Sequence, residues 1–360
     1  MKICILGDTH FGMRNDSVAF LDFGEKFYNE TFFPYLIENN IKTIIQLGDF
    51  FDRRKYINFY SLKRTKEMFL DKLIQYNIEM IVLAGNHDTY FKNTNEVNSI
   101  KLLLEDYENI TVIDVPQTVH LECANTSYDI CIIPWICADN YDNCMNEIKN
   151  TTAPICMGHF EISGFAMHRG QISDEGLSMN LFDKFQNTFS GHYHHKSTQK
   201  GITYVGTPME MTWQDYSDPR GFHLFDLDSY DLVFIQNPNT MFHRIIYDDK
   251  NQEIKEVLNK DLSACAGVYV KVVVVNKTNP YLFDQFMNKI YGLNPLDITI
   301  VEDALDLTDD DNDDRIDEAE DTVTIINKYV DTIQNDGIDN NRLKTMMREL
   351  YVEALNLEQV

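Results

Sequence analysis

At 360 residues and 44% hydrophobic, the chain can bury a full α/β core with one or two smaller units besides, while a formal net charge of −26 excludes a protein that grips nucleic acid by bulk positive charge. Seven cysteines, an odd number with no C-x-x-C pair, argue against a disulfide framework or a cysteine zinc site and read as small buried apolar residues in a reducing compartment. No apolar stretch approaches the roughly 18 residues of a membrane span, and Met1-Lys2 runs straight into a strand, so a soluble, cytoplasmic protein with no membrane partner is expected.

In chain order, apolar runs at 3–6, 43–47, 80–84, 154–157 and 188–189 read as strands. Each runs into a polar signature: Gly7-Asp8-Thr9-His10, Gly48-Asp49-Phe50-Phe51-Asp52, Gly85-Asn86-His87-Asp88, Gly158-His159 and Gly191-His192-Tyr193-His194. Amphipathic helices are predicted at 18–39 and 60–76, the second from Met68, Phe69, Leu73 and Tyr76 at helical spacing. Shorter strands at 129–134, 202–205, 221–226 and 232–236 imply a second sheet packed on the first. The expected class is α/β: a β-sandwich in four layers, flanked by helices. Pro238 and Asn239 mark a boundary, so residues 1–237 form the main domain. A strand at 268–275, a helix at 281–291 and a strand at 297–301 make a small α+β capping unit over 238–303. An acidic linker at 304–320 and a helical pair at 321–360 complete the chain.

Residues gathered from distant positions at the carboxyl ends of strands converge in space. Asp8 and His10 alternate on an extended segment and can meet one cation. Asp49, alone at its turn, is the natural bridging carboxylate between two metals roughly 3.5–4 Å apart. Asn86 adds a neutral oxygen, and His159, His192 and His194 add imidazoles whose second ring nitrogens need acceptors. One site is then Asp8, His10, Asp49 and His194; the other is Asp49, Asn86, His159 and His192. A water acidified between the two ions would attack phosphorus in line. His87, left over from this count, is the candidate acid for the leaving oxygen, with Asp88 orienting it. Each signature alone is an ordinary turn; five in series supply a full ligand set. Oxygen and imidazole donors without thiolate suit manganese or iron and do not exclude zinc; Mg2+ fits less well.

These motifs resemble the calcineurin-like metallophosphoesterases. Gly48-Asp49-Phe50-Phe51-Asp52-Arg53, Gly206-Thr207-Pro208 with Asp218-Pro219-Arg220-Gly221, and the small cap are similar to the SbcD-type DNA double-strand-break repair nucleases. Ile133-Pro134-Trp135 and Gly158-His159-Phe160-Glu161 are similar to the nuclease subunits of T-even-type bacteriophage recombination complexes. The resemblance implies a DNA exonuclease and endonuclease using two Mn2+, working as a homodimer on an SbcC-type SMC-like ATPase. Asp52 stands where some members have histidine, so no catalytic role is carried onto it; it is expected to orient a neighbour. The alternative is a phosphatase or phosphodiesterase acting on a non-nucleic substrate with the same core, against which Asp88 stands where protein phosphatases of this fold have glutamate.

Arg53, Arg54 and Lys55 follow the Asp49 turn, and Lys63, Arg64 and Lys66 follow on the next helix, where a phosphate backbone would approach. An ordinary charged helix surface is the competing reading. Asp309, Asp311, Asp313, Arg315, Asp317 and Glu320 fall at EF-hand spacing, but Asp314 replaces the glycine of the sharp turn, which favours an extended tether over a calcium loop. In the tail, Ile326 and Val330 share one helical face, and Leu343, Met347, Leu350 and Ala354 share another. Two short helices cannot bury both stripes on each other, so the resemblance makes the ATPase coiled coil the expected partner.

Overall fold

The computed structural model describes residues 1–302 except 124–125, 169–170, 175 and 252–253, together with Val330, Leu343, Lys344, Met346 and Met347. It divides into two compact units, Met1–Glu302 and Asp303–Val360.

Two six-stranded mixed sheets form the centre of the first unit. One contains β1 (Lys2–Leu6), β2 (Thr43–Gln46), β3 (Glu79–Leu83), β4 (Ile110–Ile113), β13 (Gly221–Asp226) and β14 (Leu232–Gln236), in the order β14-β13-β1-β2-β3-β4. The other contains β5 (Gln117–Cys123), β6 (Thr126–Ile133), β7 (Ile155–His159), β10 (Asn187–Gly191), β11 (Ser197–Gln199) and β12 (Ile202–Tyr204), in the order β11-β12-β10-β7-β6-β5. A hairpin of β8 (Ala166–His168) and β9 (Gln171–Ile172) lies between β7 and β10. The strands that end in the polar signatures are parallel: β1, β2 and β3 in one sheet, β7 and β10 in the other.

Side chains alternate between two cores, which is why these strands read as unbroken apolar runs. Ile3, Ile5, Ile45, Leu47, Ile81 and Leu83 meet Ile130, Ile132, Ile155, Met157 and Phe189 between the sheets. On the outer face of the first sheet, Cys4, Leu6, Ile44, Met80 and Val82 pack under the helices. Cys131, Ile133 and Cys156 do the same on the second sheet, against Cys144 and Ile148 of the helix Tyr141–Asn150. Helix, sheet, sheet and helix make the four expected layers. All seven cysteines are free; Cys123 is exposed, against the expectation of burial, because it ends the half-exposed edge strand β5.

The helix expected at 18–39 runs as Val18–Phe27, a π turn at Tyr28–Phe32, and Phe33–Glu38. Its neighbour runs as Phe59–Thr65, a π turn at Lys66–Leu70, and Asp71–Tyr76. The third sheet, β15 (Phe242–Asp248), β16 (Tyr269–Asn276) and β17 (Asp297–Val301), is parallel and carries the helix Pro280–Tyr291 on a core of its own. It meets the rest of the unit through tilted aromatic pairs: Tyr269 lies 5.9 Å from Phe20, and Phe242 lies 4.9 Å from Trp213. Among the described residues, no helix is long and apolar enough to cross a membrane. In the tail, Val330 is helical and buried, and Leu343 and Met347 are helical and half-buried. Ile326, Leu350, Ala354 and the acidic run with Asp309, Asp311, Asp313, Asp314, Arg315, Asp317 and Glu320 lie outside the described residues.

Candidate metal centre

The five strand ends do converge. Three close-set donor groups form there: Asp8 with His10 and His194, Asp49 with His159 and His192, and His10 with Asp52 and His87. Asn86 joins the second, its Oδ1 lying 2.9 Å from His159 Nε2 and 3.1 Å from His192 Nδ1. The groups interlock, since His10 Nε2 is 3.7 Å and His159 Nε2 3.4 Å from Asp49 Oδ2. His194 Nε2 is 3.9 Å from Asp8 Oδ2. Every residue expected in the two sites is therefore present in one cluster, with Asp49 between its halves.

The backbone that places these donors is strained. His10 (φ 43°), Asp49 (φ 50°) and His192 (φ 84°) all occupy the left-handed region, uncommon for residues with a Cβ. Two of the signature glycines serve close approach. A Cβ on Gly85 would stand 2.2 Å from Asp49 Oδ1, and one on Gly191 would stand 2.4 Å from Asp8 Oδ1. Buried Gln46 pins the first two turns together, donating to the Gly7 and Gly48 carbonyls at 3.2 and 2.6 Å.

Hydrogen bonds fix how the donors face. His159 Nδ1 donates to the Leu47 carbonyl at 2.7 Å, so a neutral ring turns the lone pair of Nε2 toward the oxygens of Asn86 and Asp49. That arrangement calls for positive charge, either a proton on the ring or a cation between the donors. His10 makes the same demand: it is buried between carboxylates, with Nδ1 3.2 Å from Asp52 Oδ1 and Nε2 3.7 Å from Asp49 Oδ2. Although burial opposes their charge, Asp49 raises His159, and Asp52 with Asp49 raises His10, each to about 9. Burial and the neighbouring His159 push His192 down to about 3, and burial with His10 holds His194 well below its ordinary value. Burial pushes Asp8 up to about 7, whereas the imidazoles of His159 and His87 hold Asp49 well below the usual carboxylate range despite its burial. Two carboxylates, an amide oxygen and four imidazoles without a thiolate, with positive charge favoured at His10 and His159, match a metal pair.

One expected role changes. Asp88 does not orient His87. Its buried carboxylate accepts from the backbone N–H groups of Phe50 (3.1 Å), Phe51 (3.2 Å) and Gly85 (2.9 Å), stapling the Asp49 turn to the Asn86 turn. The His87 ring is held instead by the Asp52 carbonyl, which accepts from Nδ1 at 2.6 Å, and stands edge-on to His10 with 4.8 Å between centroids. Asp52 also faces His10, its Oδ1 3.2 Å from Nδ1, the orienting place reserved for it. In the basic cluster, Arg64 is engaged by Asp22 (2.7 Å) and Glu25 (2.6 Å), and Lys63 pairs with Glu67, as a charged helix surface would have it. Arg53, stacked on Tyr56 and near Asp16, lies with half-buried Arg54 and exposed Lys55 on the turn leaving Asp52. Sequence reasoning gave no role to Trp135, whose ring lies 5.2 Å from His192 and 5.9 Å from His159.

A profile of the calcineurin-like phosphoesterases matches residues 1–196. The chain belongs to that family. Within the calcineurin-like phosphoesterases it is 31% identical over 359 residues, 98% of this chain and 99% of the relative, to exonuclease subunit 1 of Enterobacteria phage T4. It is 26% identical over 282 residues, 72% of this chain and 70% of the relative, to the DNA double-strand break repair protein Mre11 of Sulfolobus acidocaldarius. A calcineurin-like phosphoesterase implies a dimetal centre, and the cluster at the strand ends supplies donors for one.

Proposed function

We propose that the chain is a manganese-dependent DNA nuclease, exonuclease and endonuclease, acting in recombination and repair in the cytoplasm of its cell or host. In this reading it is a homodimer bound to an SbcC-type SMC-like ATPase. Residues 1–237 form the nuclease domain, 238–303 the cap, 304–320 a linker, and 321–360 the helical pair that docks on the ATPase. The observation that carries the reading is the thiolate-free cluster of buried and half-buried donors, in a chain similar from end to end to an exonuclease subunit.

Asp8, His10, Asp49 and His194 would hold one metal, and Asp49, Asn86, His159 and His192 the other. Bound there, the pair supplies Lewis acidity toward a phosphodiester and lowers the pKa of a coordinated water. The chain's own groups do the rest. Leu47 fixes the His159 tautomer, and Asp52 orients His10 through its carboxylate. His87, tethered at Nδ1, keeps Nε2 to carry a proton to the leaving oxygen. Arg53, Arg54 and Lys55 offer the local positive charge for the strand.

The test is the purified chain with Mn2+ against labelled duplex DNA, a phosphopeptide and cyclic AMP. DNA cleavage that disappears in Asp49→Asn without loss of folding is the expected result. Preference for the phosphopeptide or cyclic AMP, or wild-type DNA cleavage by Asp49→Asn, overturns the proposal.

A further inference from the structure

The Asp218-Pro219-Arg220-Gly221 motif has no part in the chemistry above, yet Arg220 is 4% exposed and its fork reaches the back of the centre. One terminal nitrogen donates to the His194 carbonyl and to Thr207 Oγ1 at 2.9 Å. The other donates to Asp215 Oδ1 and lies 2.9 Å from Asp218 Oδ2. Asp218 in turn accepts from His195 Nδ1 at 2.6 Å. The His194 carbonyl also accepts from Thr207 N at 3.1 Å. The second oxygen of Asp215 is taken by the N–H groups of Met211 (2.7 Å) and Thr212 (3.0 Å).

A buried Arg–Asp pair is weak evidence for stability, since desolvation cancels much of its Coulomb gain; its best-attested use is to fix one geometry among several. Here one geometry needs fixing. The His194 side chain is 33% exposed, against 4% or less for Asp8, Asp49, His10 and His159. Packing therefore holds Asp8, His10 and Asp49, the other donors of its site, whereas His194 stands on a loop just after the left-handed His192. Its main chain is gripped by Arg220 and Thr207 instead.

We propose that Arg220 is a positioning residue for the metal site that includes His194, acting through the His194 main chain and not on the substrate. The inference rests on the metal reading above. The flat fork of arginine reaches the carbonyl and the carboxylates at once, which a lysine ammonium cannot do. Loss of such an outer contact weakens metal affinity by about 10–100-fold.

Calorimetric titration of Mn2+ into the metal-free chain tests this, alongside thermal melting and DNA hydrolysis at rising Mn2+. Wild type should take up two ions. Arg220→Lys should keep one at wild-type affinity, bind the other about 10–100-fold more weakly, and recover hydrolysis as Mn2+ is raised. Asp218→Asn, which leaves the Asp215 pair in place, should shift the same ion by less, and it decides the matter alone if Arg220→Lys does not fold. Two wild-type affinities in the folded variants, or equal weakening of both ions, overturn the positioning role and leave the metal reading standing. A wild-type chain that takes up no Mn2+ overturns both.

Discussion

Replacing Asp88 by Asn separates a staple from a catalytic group. Asp88 is fully buried, with Oδ1 accepting from Phe50 and Phe51 N–H and Oδ2 from Gly85 N–H. An amide keeps only one of these acceptors. Its best placement leaves the oxygen on Phe50 and Phe51 and turns the NH2 against the Gly85 N–H, donor on donor. One charge-assisted bond is lost, a loss of about 1.5–3 kcal/mol, and the unpaired buried donor brings the total to roughly 2–4 kcal/mol. Melting should fall by roughly 3–6 °C for a unit of this size. The same staple ties Gly85 to the turn that carries Asp49, where even a Cβ would find 2.2 Å, so the Asp49 carboxylate moves with it. A displacement near 1 Å costs on the order of 10²-fold in rate. The assay pairs a melting curve with Mn2+-dependent DNA hydrolysis. Slow turnover at wild-type melting temperature would return Asp88 to the chemistry, and wild-type values of both would refute the staple.

His87→Gln should lower turnover by roughly 10²–10⁴ while a Mn2+ titration still finds two ions; loss of one ion would make His87 a ligand. His223, 2% exposed on β13 beside Phe234, has its pKa pushed down to about 3 by burial, with Lys196 adding to it. The unfolded chain takes up this proton below about 6.5 and the folded chain does not, so stability is full above that pH and falls by about 1.4 kcal/mol per unit as pH drops toward 3. Between pH 8 and pH 5 the stability difference between wild type and His223→Leu should thus shift by roughly 2 kcal/mol in the variant's favour, and parallel pH profiles would refute it. A chain ending at Glu302, the limit of the first compact unit, should keep Mn2+-dependent cleavage of a small phosphodiester and lose binding to the ATPase; undiminished binding would place that interface on the first unit.

The sites were legible because parallel strands buried on both faces announce themselves as apolar runs, and their ends are where donors collect. Three strands with an exposed side were not. β5 and β15 mix polar and apolar residues along half-exposed edges, and β4 is a four-residue strand with an exposed threonine. The two long helices were placed to within a residue or so. Their π turns were invisible; they lie where aromatics of the two helices meet, with Tyr28 and Phe69 5.0 Å apart and Phe32 stacked on Phe69 at 6.0 Å.

Adjacency misled at His87 and Asp88, since neighbours in a turn point apart. The true holder of His87 stands 35 positions away, at Asp52. The same holds for the left-handed His10, Asp49 and His192, whose backbone costs of order 1–3 kcal/mol each and persists only when surroundings over-determine it. The surroundings are for the most part residues that carry no donor of their own to the centre. Gln46 clamps the Gly7 and Gly48 turns, Asp88 staples the Asp49 turn, and the Asp8 carboxylate accepts the His192 N–H at 2.9 Å. Only the last belongs to the donor set. Donor type can be read from five short motifs, but donor direction is set by contacts between strand ends that lie far apart in the chain, so substitutions at Gln46, Asp88 and Arg220 test the centre as directly as changes to the donors.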